Sequence, residues 1–390
     1  MKKTLAAVAV LGAFAGSALA ADVTLYGMID TGLAYTHVDL DNAKGGVDKL
    51  SMESGMQSGS RFGFKGTEDL GNGLTVGFIL ENQFSGDDGA LKDGLLFRRE
   101  ASLFLQGGFG KIAAGRMGSI NNGTSSWGKL GMTSAFGTSG WGGYAAQAET
   151  TFSAAGLWDN MISYETPSFA GFKVYAQYGM GGQSYTYEND QEEDVSVTGV
   201  ENESSSNRYY AIGATYNNGP VAAYFAVDSI NYKSFYAVDG SAGATAHDTD
   251  DSLTITLGGS YDFEVAKVFF GAQYFDEVAA FGNLVTKTSF GSKKITGYGL
   301  TVSANIPVAG GNILAGVNYV DAEAADSLEK TPYKDDEFQR YTVTVGYDYP
   351  LSKRTDVYTV ASYMQDDVTV AKKDIDTSAY SLVVGLRHKF

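Results

Sequence analysis

Several residue types are scarce in this chain of 390 residues, and each scarcity removes a class of protein. There is no cysteine, so neither a disulfide framework nor a thiolate metal site is available. The 3 histidines, His37, His247 and His388, are too few and too scattered for a zinc site or a hydrolytic triad. No run of about eighteen apolar residues follows position 21, which excludes a protein that crosses a membrane with helices. We therefore expect no catalytic residue, no metal and no cofactor.

The composition that remains is typical of a large β-structure. Proline occurs 5 times and glycine 50 times, beside 25 tyrosines and 22 phenylalanines, and mean hydropathy is close to zero at −0.13. The glycines have no three-residue period and aromatic residues are plentiful, which excludes collagen-like and disordered chains. The net charge of −17 argues against nucleic acid as a partner.

The first twenty residues have the form of a secretory signal peptide. Lys2 and Lys3 precede an almost wholly apolar stretch from Leu5 to Ala15, and Ala18-Leu19-Ala20 has the small-x-small form of a cleavage site. We expect residues 1–20 to be removed and residues 21–390 to form one domain. Loss of Lys2 and Lys3 takes the formal charge from −17 to −19.

The last segment of the chain alternates between two kinds of residue and stops on an aromatic residue. Every second position is apolar or aromatic, broken only at His388: Tyr380, Leu382, Val384, Leu386 and Phe390. The other positions are mostly small or polar, and this period of two predicts a strand with one apolar face. Such a strand, with no tail after it, is typical of an outer-membrane barrel.

The same alternation recurs along the mature chain in roughly sixteen segments of about nine to twelve residues, the length of a tilted membrane-spanning strand. Short turns such as Asn217-Asn218-Gly219-Pro220 alternate with long polar segments, of which 37–55 and 118–158 are examples. Outward positions are apolar and inward ones carry charges, whereas a soluble sandwich or propeller, the alternative, would reverse the faces. The sequence therefore predicts an all-β, 16-stranded antiparallel transmembrane barrel.

Particular motifs resemble the Gram-negative general porins of the trimeric kind. The resemblance is carried by segments in the family's order across the mature chain: Leu25-Tyr26-Gly27-Met28-Ile29-Asp30, Ser60-Arg61-Phe62-Gly63-Phe64-Lys65-Gly66 through Leu74, Gly107-Gly108-Phe109-Gly110 through Arg116, and Ser163-Tyr164-Glu165-Thr166-Pro167 through Phe172. It implies three barrels per trimer, each with a water-filled pore narrowed by an inward-folded third loop, here 118–158. It also implies that Phe390 is a signal for the outer-membrane barrel assembly machinery.

The resemblance implies a basic wall facing that loop. Its arginines correspond to Arg61, Arg99 and Arg116, and the resemblance does not decide between Arg98 and Arg99. Period-two alternation independently places Arg61 and Lys65 inward, with Glu81 on the inward face of the next strand. Tyr26 and Asp30 share the inward face of the first strand and are candidates to line the pore. The alternative is that the arginines are ordinary interfacial charges.

The loop departs from the family pattern. Enteric members carry acids around a Phe-Gly-Gly, whereas this chain reads Ser134-Ala135-Phe136-Gly137-Thr138-Ser139. We assign four residues to the constriction loop: Lys129, Phe136, Glu149 and Asp159. Because a filter depends on fixed charges facing a narrow gap, loss of the loop acids predicts weak selectivity leaning to anions.

The expected function is non-specific passive diffusion of small hydrophilic solutes and ions across the outer membrane. Expected partners are two further copies in a homotrimer, the lipid bilayer and lipopolysaccharide. A substrate-specific channel is the main alternative, although no ordered aromatic track is visible. An outer-membrane enzyme and an adhesin or receptor barrel are more distant alternatives.

Overall fold

The computed structural model describes residues 23–40, 46–138, 141, 151–181, 185–188, 194–197, 206–232, 235–236, 246–247, 250–279, 294–326, 334–370 and 372–390. Within these ranges, no helix combines the length and the apolar character needed to cross a membrane. The helical content described consists of two 3-10 turns, η1 at Lys92–Gly94 and η2 at Leu130–Thr133.

The described chain is built from strands. In order they are β1 Thr24–Leu40, β2 Val47–Ser54, β3 Arg61–Gly71, β4 Leu74–Glu81, β5 Glu100–Gly107, β6 Gly110–Gly118, β7 Leu157–Glu165, β8 Phe172–Gly179, β9 Tyr185–Glu188, β10 Asp194–Val197, β11 Arg208–Asn218, β12 Val221–Asn231, β13 Phe235–Tyr236, β14 Ala246–His247, β15 Ser252–Asp262, β16 Lys267–Ala279, β17 Lys294–Val308, β18 Gly311–Ala324, β19 Glu337–Pro350, β20 Thr355–Val370 and β21 Lys373–Lys389. Two small hairpins, β9–β10 and β13–β14, stand apart from a single large sheet.

That sheet contains 17 strands and closes on itself. β1 pairs along one edge with β21, and along its other edge with β2 over residues 31–38 and with β3 over residues 24–28. β2 and β3 therefore share one position in the barrel, interrupted by residues 55–60. The strands thus fill sixteen positions, which confirms the predicted antiparallel barrel. The predicted first loop, 37–55, was too long, since β1 continues to Leu40 and β2 begins at Val47.

Connection length distinguishes the two rims. Seven connections, among them Asn72-Gly73 and Gly108-Phe109, are short turns at one rim, where both ends of the described chain also lie. An eighth short connection, between Val370 of β20 and Lys373 of β21, lies at the other rim. The connections at the other rim include 82–99 and 119–156. This asymmetry is the arrangement expected of outer-membrane barrels, with short turns on the periplasmic side.

The barrel wall has an apolar outside and a mostly polar inside. On β21, Leu382 and Val384 are 52% and 56% exposed, whereas Val383 between them is 0% exposed. The predicted outward face of this strand is therefore confirmed. Inward positions elsewhere are commonly hydroxyl or amide side chains, such as Thr256 and Gln273. The barrel consequently presents hydrocarbon to lipid and hydrogen-bonding groups to its lumen.

Phe390 takes part in the pairing of β1 with β21 that closes the barrel, which we call the barrel seam. Phe390 and Gly27 exchange two backbone hydrogen bonds of 3.0 and 3.1 Å, so pairing of β1 with the end of the chain extends to the last residue. The Phe390 ring lies so close to Gly27 that a Cβ there would meet ring carbon Cζ at 2.5 Å. A glycine at position 27 therefore makes room for the terminal aromatic ring.

Candidate pore constriction

Four arginines converge on one side of the lumen. Arg61 is the first residue of β3, Arg98 and Arg99 directly precede β5, and Arg116 lies near the end of β6. Because β3 to β6 are consecutive neighbours in the sheet, the four side chains form one wall. We call these residues the arginine wall.

A bulge turns Arg116 toward the lumen. On β6 the alternation places Ile112 and Ala114 outward, so regular geometry would put Arg116 in lipid. The register between β6 and β7 shifts between Gly115 and Met117, which reverses the alternation at this point. Gly115 has φ +134°, and a Cβ there would meet the carbonyl oxygen of Ala101 at 2.1 Å, so only glycine fits the bulge.

Glu81 holds the first part of the wall together. Its carboxylate lies 2.5 Å from Arg99 Nε and 3.7 Å from Arg61 Nε. Tyr26 donates its phenolic hydrogen to the same carboxylate at 3.0 Å. Arg61 also donates to the hydroxyl of Ser58, at 3.2 Å. Both guanidinium groups are thereby fixed in position, and half of their charge is compensated.

The other two arginines also have carboxylate partners. Arg116 Nη1 lies 2.5 Å from Asp159, and its Nε donates to the backbone oxygen of Arg98 at 2.7 Å. Arg98 pairs with Asp93 and donates to Gln83 at 3.0 Å. The Arg98 guanidinium holds the pKa of Asp93 below its usual value through this hydrogen bond. Asp93 therefore stays ionised.

The formal charge of the wall follows from these contacts. Four guanidinium groups face three carboxylates, Glu81, Asp93 and Asp159, which leaves one net positive charge. The half-exposed side chains of Asp93 and Asp159 are hydrated, whereas Glu81 is largely buried between its partners. A small residual charge in a narrow lumen produces a preference between anions and cations, but not exclusion of either.

A cavity of about 370 Å³ separates the wall from the loop connecting β6 to β7. Arg61, Arg98 and Arg99 line one side of this cavity. The other side is formed only by uncharged residues: Asn122, Gly123, Thr124, Thr138 and Gly156 of the loop, and Leu157 at the start of β7. The described lining therefore contains three arginines and no carboxylate. A Cβ on Gly123 would lie 1.6 Å from the Thr138 hydroxyl, so a glycine at position 123 allows these two segments of the loop to pack together.

The loop is bonded to lumen-facing side chains of the wall along its first part. Ile120 N donates to Gln177 of β8 at 2.7 Å, and Asn121 donates to Thr254 of β15 at 3.0 Å. Tyr224 of β12 bonds the Asn121 side chain and donates to the Ile120 carbonyl at 3.2 Å. These contacts span several neighbouring strands and fix residues 120–121 against the inner surface.

The later part of the loop contacts more distant strands. Ala135 N donates to Ser303 of β17 at 2.8 Å. Phe136 and Trp141 make edge-to-face contacts with each other and, through Trp141, with Tyr358 of β20, at centroid distances of 5.8 and 5.3 Å. Thr133 lies against β15 and β16, where Gly258 and Gly271 leave space for it. The described residues 120–138 and 141 therefore contact a series of strands from β8 to β20.

Two of the predicted site residues lie elsewhere than expected. Asp30 does not line the open lumen, because it is fully buried and accepts hydrogen bonds from Gln57 N, Ser58 N and the Tyr358 hydroxyl at 2.6–2.7 Å. It instead anchors the interruption between β2 and β3. Asp159 belongs to β7 and not to the constriction loop, and it pairs with the arginine wall from there.

The remaining predicted residues divide into groups. Arg61, Arg99, Arg116, Glu81 and Tyr26 are brought together, whereas Lys65 lies further along β3 with its ammonium 5.3 Å from the Tyr26 ring centroid. Phe136 is buried in a cluster with Trp141 and Tyr358. Lys129 lies near Tyr175, on the periplasmic side of the loop. Glu149 lies outside the described residues.

Sequence reasoning left out some residues of the site. It did not choose between Arg98 and Arg99, and the structure places both at the cavity. It also did not single out Arg387, which lies on the inward face of β21 and bonds Asp356 at 3.0 and 3.1 Å. The signal for Arg387 was available, because alternation puts it on the side opposite Leu386.

Comparisons with known proteins agree with this geometry. A model of the Gram-negative porin family matches residues 6–369. An outer membrane porin protein of Bordetella pertussis is 33% identical, and outer membrane porin protein 32 of Delftia acidovorans is 30% identical, with 100% of both chains covered in each case.

Solved structures show the same relationship. An anion-selective porin from Comamonas acidovorans superposes with a TM-score of 0.65 at 26% identity, covering 95% of this chain and 100% of that one. A trimer form of OmpT, an outer membrane protein of Vibrio cholerae, has a TM-score of 0.59 at 17% identity, covers 95% of this chain and 99% of that one, and supports the fold alone. From the closed barrel, the family match and the full-length relatives, it follows that this chain belongs to the Gram-negative porin family.

Proposed function

We propose that this porin is a non-specific diffusion channel with a weak preference for anions. Its place in the outer membrane and its passive mode of transport follow from the family. The preference is carried by one observation, the cavity lined by Arg61, Arg98 and Arg99 and by an uncharged loop. Since the wall retains one net positive charge, anions are concentrated in the gap and cations are depleted. The anion-selective Comamonas acidovorans porin is a structural neighbour, which supports the same preference.

In this proposal the loop between β6 and β7 is the constriction. Its contacts with Gln177, Tyr224, Thr254 and Ser303 support a position inside the barrel. Arg61, Arg99, Arg116 and Glu81 set the charge, while Tyr26 and Lys65 line the same side. We propose no enzymatic activity, because the residues that meet in the lumen are ion pairs and uncharged hydroxyl or amide groups.

The surroundings of the channel belong to the same proposal. Residues 1–20 are a signal peptide, and residues 21–390 form one barrel domain. Three copies assemble in a trimer, in contact with bilayer lipids and lipopolysaccharide. Phe390, which completes the barrel seam, is recognised by the barrel assembly machinery. Gel mobility of the unheated against the heated protein tests the trimer, and N-terminal sequencing of the exported protein tests the cleavage site.

The decisive experiment measures reversal potentials in a potassium chloride gradient across a planar bilayer. Wild-type channels are expected to prefer chloride weakly. The double variant R61Q/R99Q removes two positive charges, takes the wall from +1 to −1 and is expected to prefer potassium. R354Q, on an exposed short turn, is the matched control and is expected to behave as wild type. Absence of channels would contradict the function, and cation preference of the wild type would contradict the assigned selectivity.

A further inference from the structure

Three lysines lie near one another toward the rim of short turns. Lys111 is the second residue of β6 and Lys173 the second residue of β8, each directly after a short turn. Lys129 approaches them from the constriction loop, with its ammonium 5.3 Å from the centroid of Tyr175 on β8. The charges of Lys111 and Lys173 both act on Lys129, so the three groups share one electrostatic environment.

Aromatic rings hold two of these lysines in place. The Lys111 ammonium lies 4.7 Å from the ring centroids of both Phe104 and Trp127. Such cation–π contacts orient an ammonium group without neutralising its charge. Lys129 donates to the backbone oxygen of Ser126 at 3.0 Å. The indole N–H of Trp127 is buried in the same cluster and donates to no acceptor among the described residues.

The carboxylates near the cluster are already engaged. Glu165 lies 3.3 Å from Lys173, and Glu100 accepts hydrogen bonds of 2.7–2.9 Å from Ser102 and Ser126. Among the described carboxylates, none lies within ion-pair distance of Lys111 or Lys129. Three lysines against two acids leave one net positive charge.

Lys129 is in the field of both kinds of charge. Its pKa is lowered chiefly by burial; Glu165 and Glu100 oppose the shift, whereas the positive charges of Lys111 and Lys173 add to it. An anion entering the cluster would reduce this repulsion. The surplus therefore favours occupation by a singly charged anion.

The lysine cluster is separate from the arginine wall. Lys111 and Arg116 lie on the same strand with four residues between them, which corresponds to about 17 Å along β6. The Debye length is about 10 Å at 0.1 M salt, so the two sets of charges act on a passing ion largely one after the other. The cluster lies on the periplasmic side, since Lys111 borders a short turn.

We propose that Lys111 and Lys129 form a second anion site in the lumen, on the periplasmic side of the arginine wall, which takes chloride or the carboxylate group of a small organic anion. This inference rests on the proposed anion-preferring channel. An anion leaving the arginine wall then meets a second surplus of positive charge before it reaches the periplasm. The two sites in series extend the region from which cations are depleted.

The experiment measures chloride-to-potassium permeability ratios of single channels with the dilute solution placed first on one side and then on the other. Fixed charge acts most strongly at the mouth that faces the dilute solution, where screening is weakest. The wild-type ratio is expected to be about twofold higher when the periplasmic mouth faces the dilute solution. The double variant K111Q/K129Q is expected to lose this difference while still forming channels.

The matched control is K267Q, because Lys267 also borders a short turn and lies over an aromatic ring, that of Phe269, at 5.2 Å, but on the far strand β16. It is expected to keep the asymmetry. R61Q/R99Q is expected to lower the ratio in both directions and to retain a difference between them. Wild-type ratios in K111Q/K129Q would overturn the second site while leaving the channel function intact. A wild-type channel without any preference for anions would instead contradict the proposed function.

Discussion

Replacing Glu81 with glutamine is expected to strengthen the anion preference. Glu81 is the carboxylate shared by Arg61 and Arg99, and it accepts a hydrogen bond from the Tyr26 hydroxyl. Glutamine keeps a carbonyl oxygen to accept from Arg99 and Tyr26, so the side chains retain a partner. The substitution removes one negative charge, and the arginine wall changes from one net positive charge to two.

The size of the effect follows from Coulomb's law. A unit charge about 6 Å from the path of an ion changes its energy in water by about 0.7 kcal/mol, or by about 0.4 kcal/mol after screening in 0.1 M salt. The anion gains what the cation loses, so the permeability ratio is expected to rise about fourfold. At 1 M salt the Debye length falls to about 3 Å, and the expected rise is only about 1.4-fold.

The assay is the reversal potential of E81Q in potassium chloride gradients at low and high mean salt. E323Q is the matched control, because Glu323 is exposed on the outward face of β18 and the same chemical change there adds no charge to the lumen. An unchanged or lowered chloride preference in E81Q channels of normal conductance would refute the assignment of Glu81 to the filter. A rise that does not diminish with salt would refute the electrostatic explanation.

Three further substitutions test the barrel itself, each by denaturant unfolding of the protein folded in lipid vesicles. Y358F removes the 2.6 Å hydrogen bond to Asp30 and is expected to cost about 1.5–3 kcal/mol, and a change under about 0.5 kcal/mol would contradict that role. R340M leaves Asp366 buried without its bidentate partner and is expected to cost about 3–5 kcal/mol, with much of the loss recovered in R340M/D366M. L382R places a charge on the lipid face of β21 and is expected to cost about 2–4 kcal/mol, whereas wild-type stability would show that this face is not in lipid.

Strand positions and faces could be predicted because they depend on local pattern. Alternation alone puts Leu382 outward and Arg61 inward, and turn residues such as Asn72-Gly73 mark hairpin ends. The interruption between β2 and β3 escaped this reasoning. Its anchor is a contact between Asp30 and Tyr358, residues far apart in sequence, that no local pattern reveals.

The site was only partly predictable for the same physical reason. Arg116 was assigned by resemblance, whereas simple alternation would have placed it in lipid. Alternation fails there because of the bulge at Gly115, and the bulge depends on a contact with Ala101 of the neighbouring strand, which no local pattern shows. Asp30 was predicted to line the pore and is instead fully buried, since alternation gives the direction of a side chain but not what covers it. Phe136 packs in one buried cluster with Trp141 and Tyr358, a contact between residues far apart in sequence.

Weak selectivity follows from pairing within the wall, independently of total charge. The net charge of −17 is that of the whole chain, whereas an ion in the gap is influenced mainly by the charges within about one Debye length of it. There, each arginine except one is matched by a carboxylate, so a gap bordered by arginines carries a surplus of only one charge. Pairing also lets four guanidinium groups share a narrow space without strong mutual repulsion. Removal of one carboxylate, Glu81 or Asp159, raises this surplus from one positive charge to two, so anion preference strengthens without another arginine.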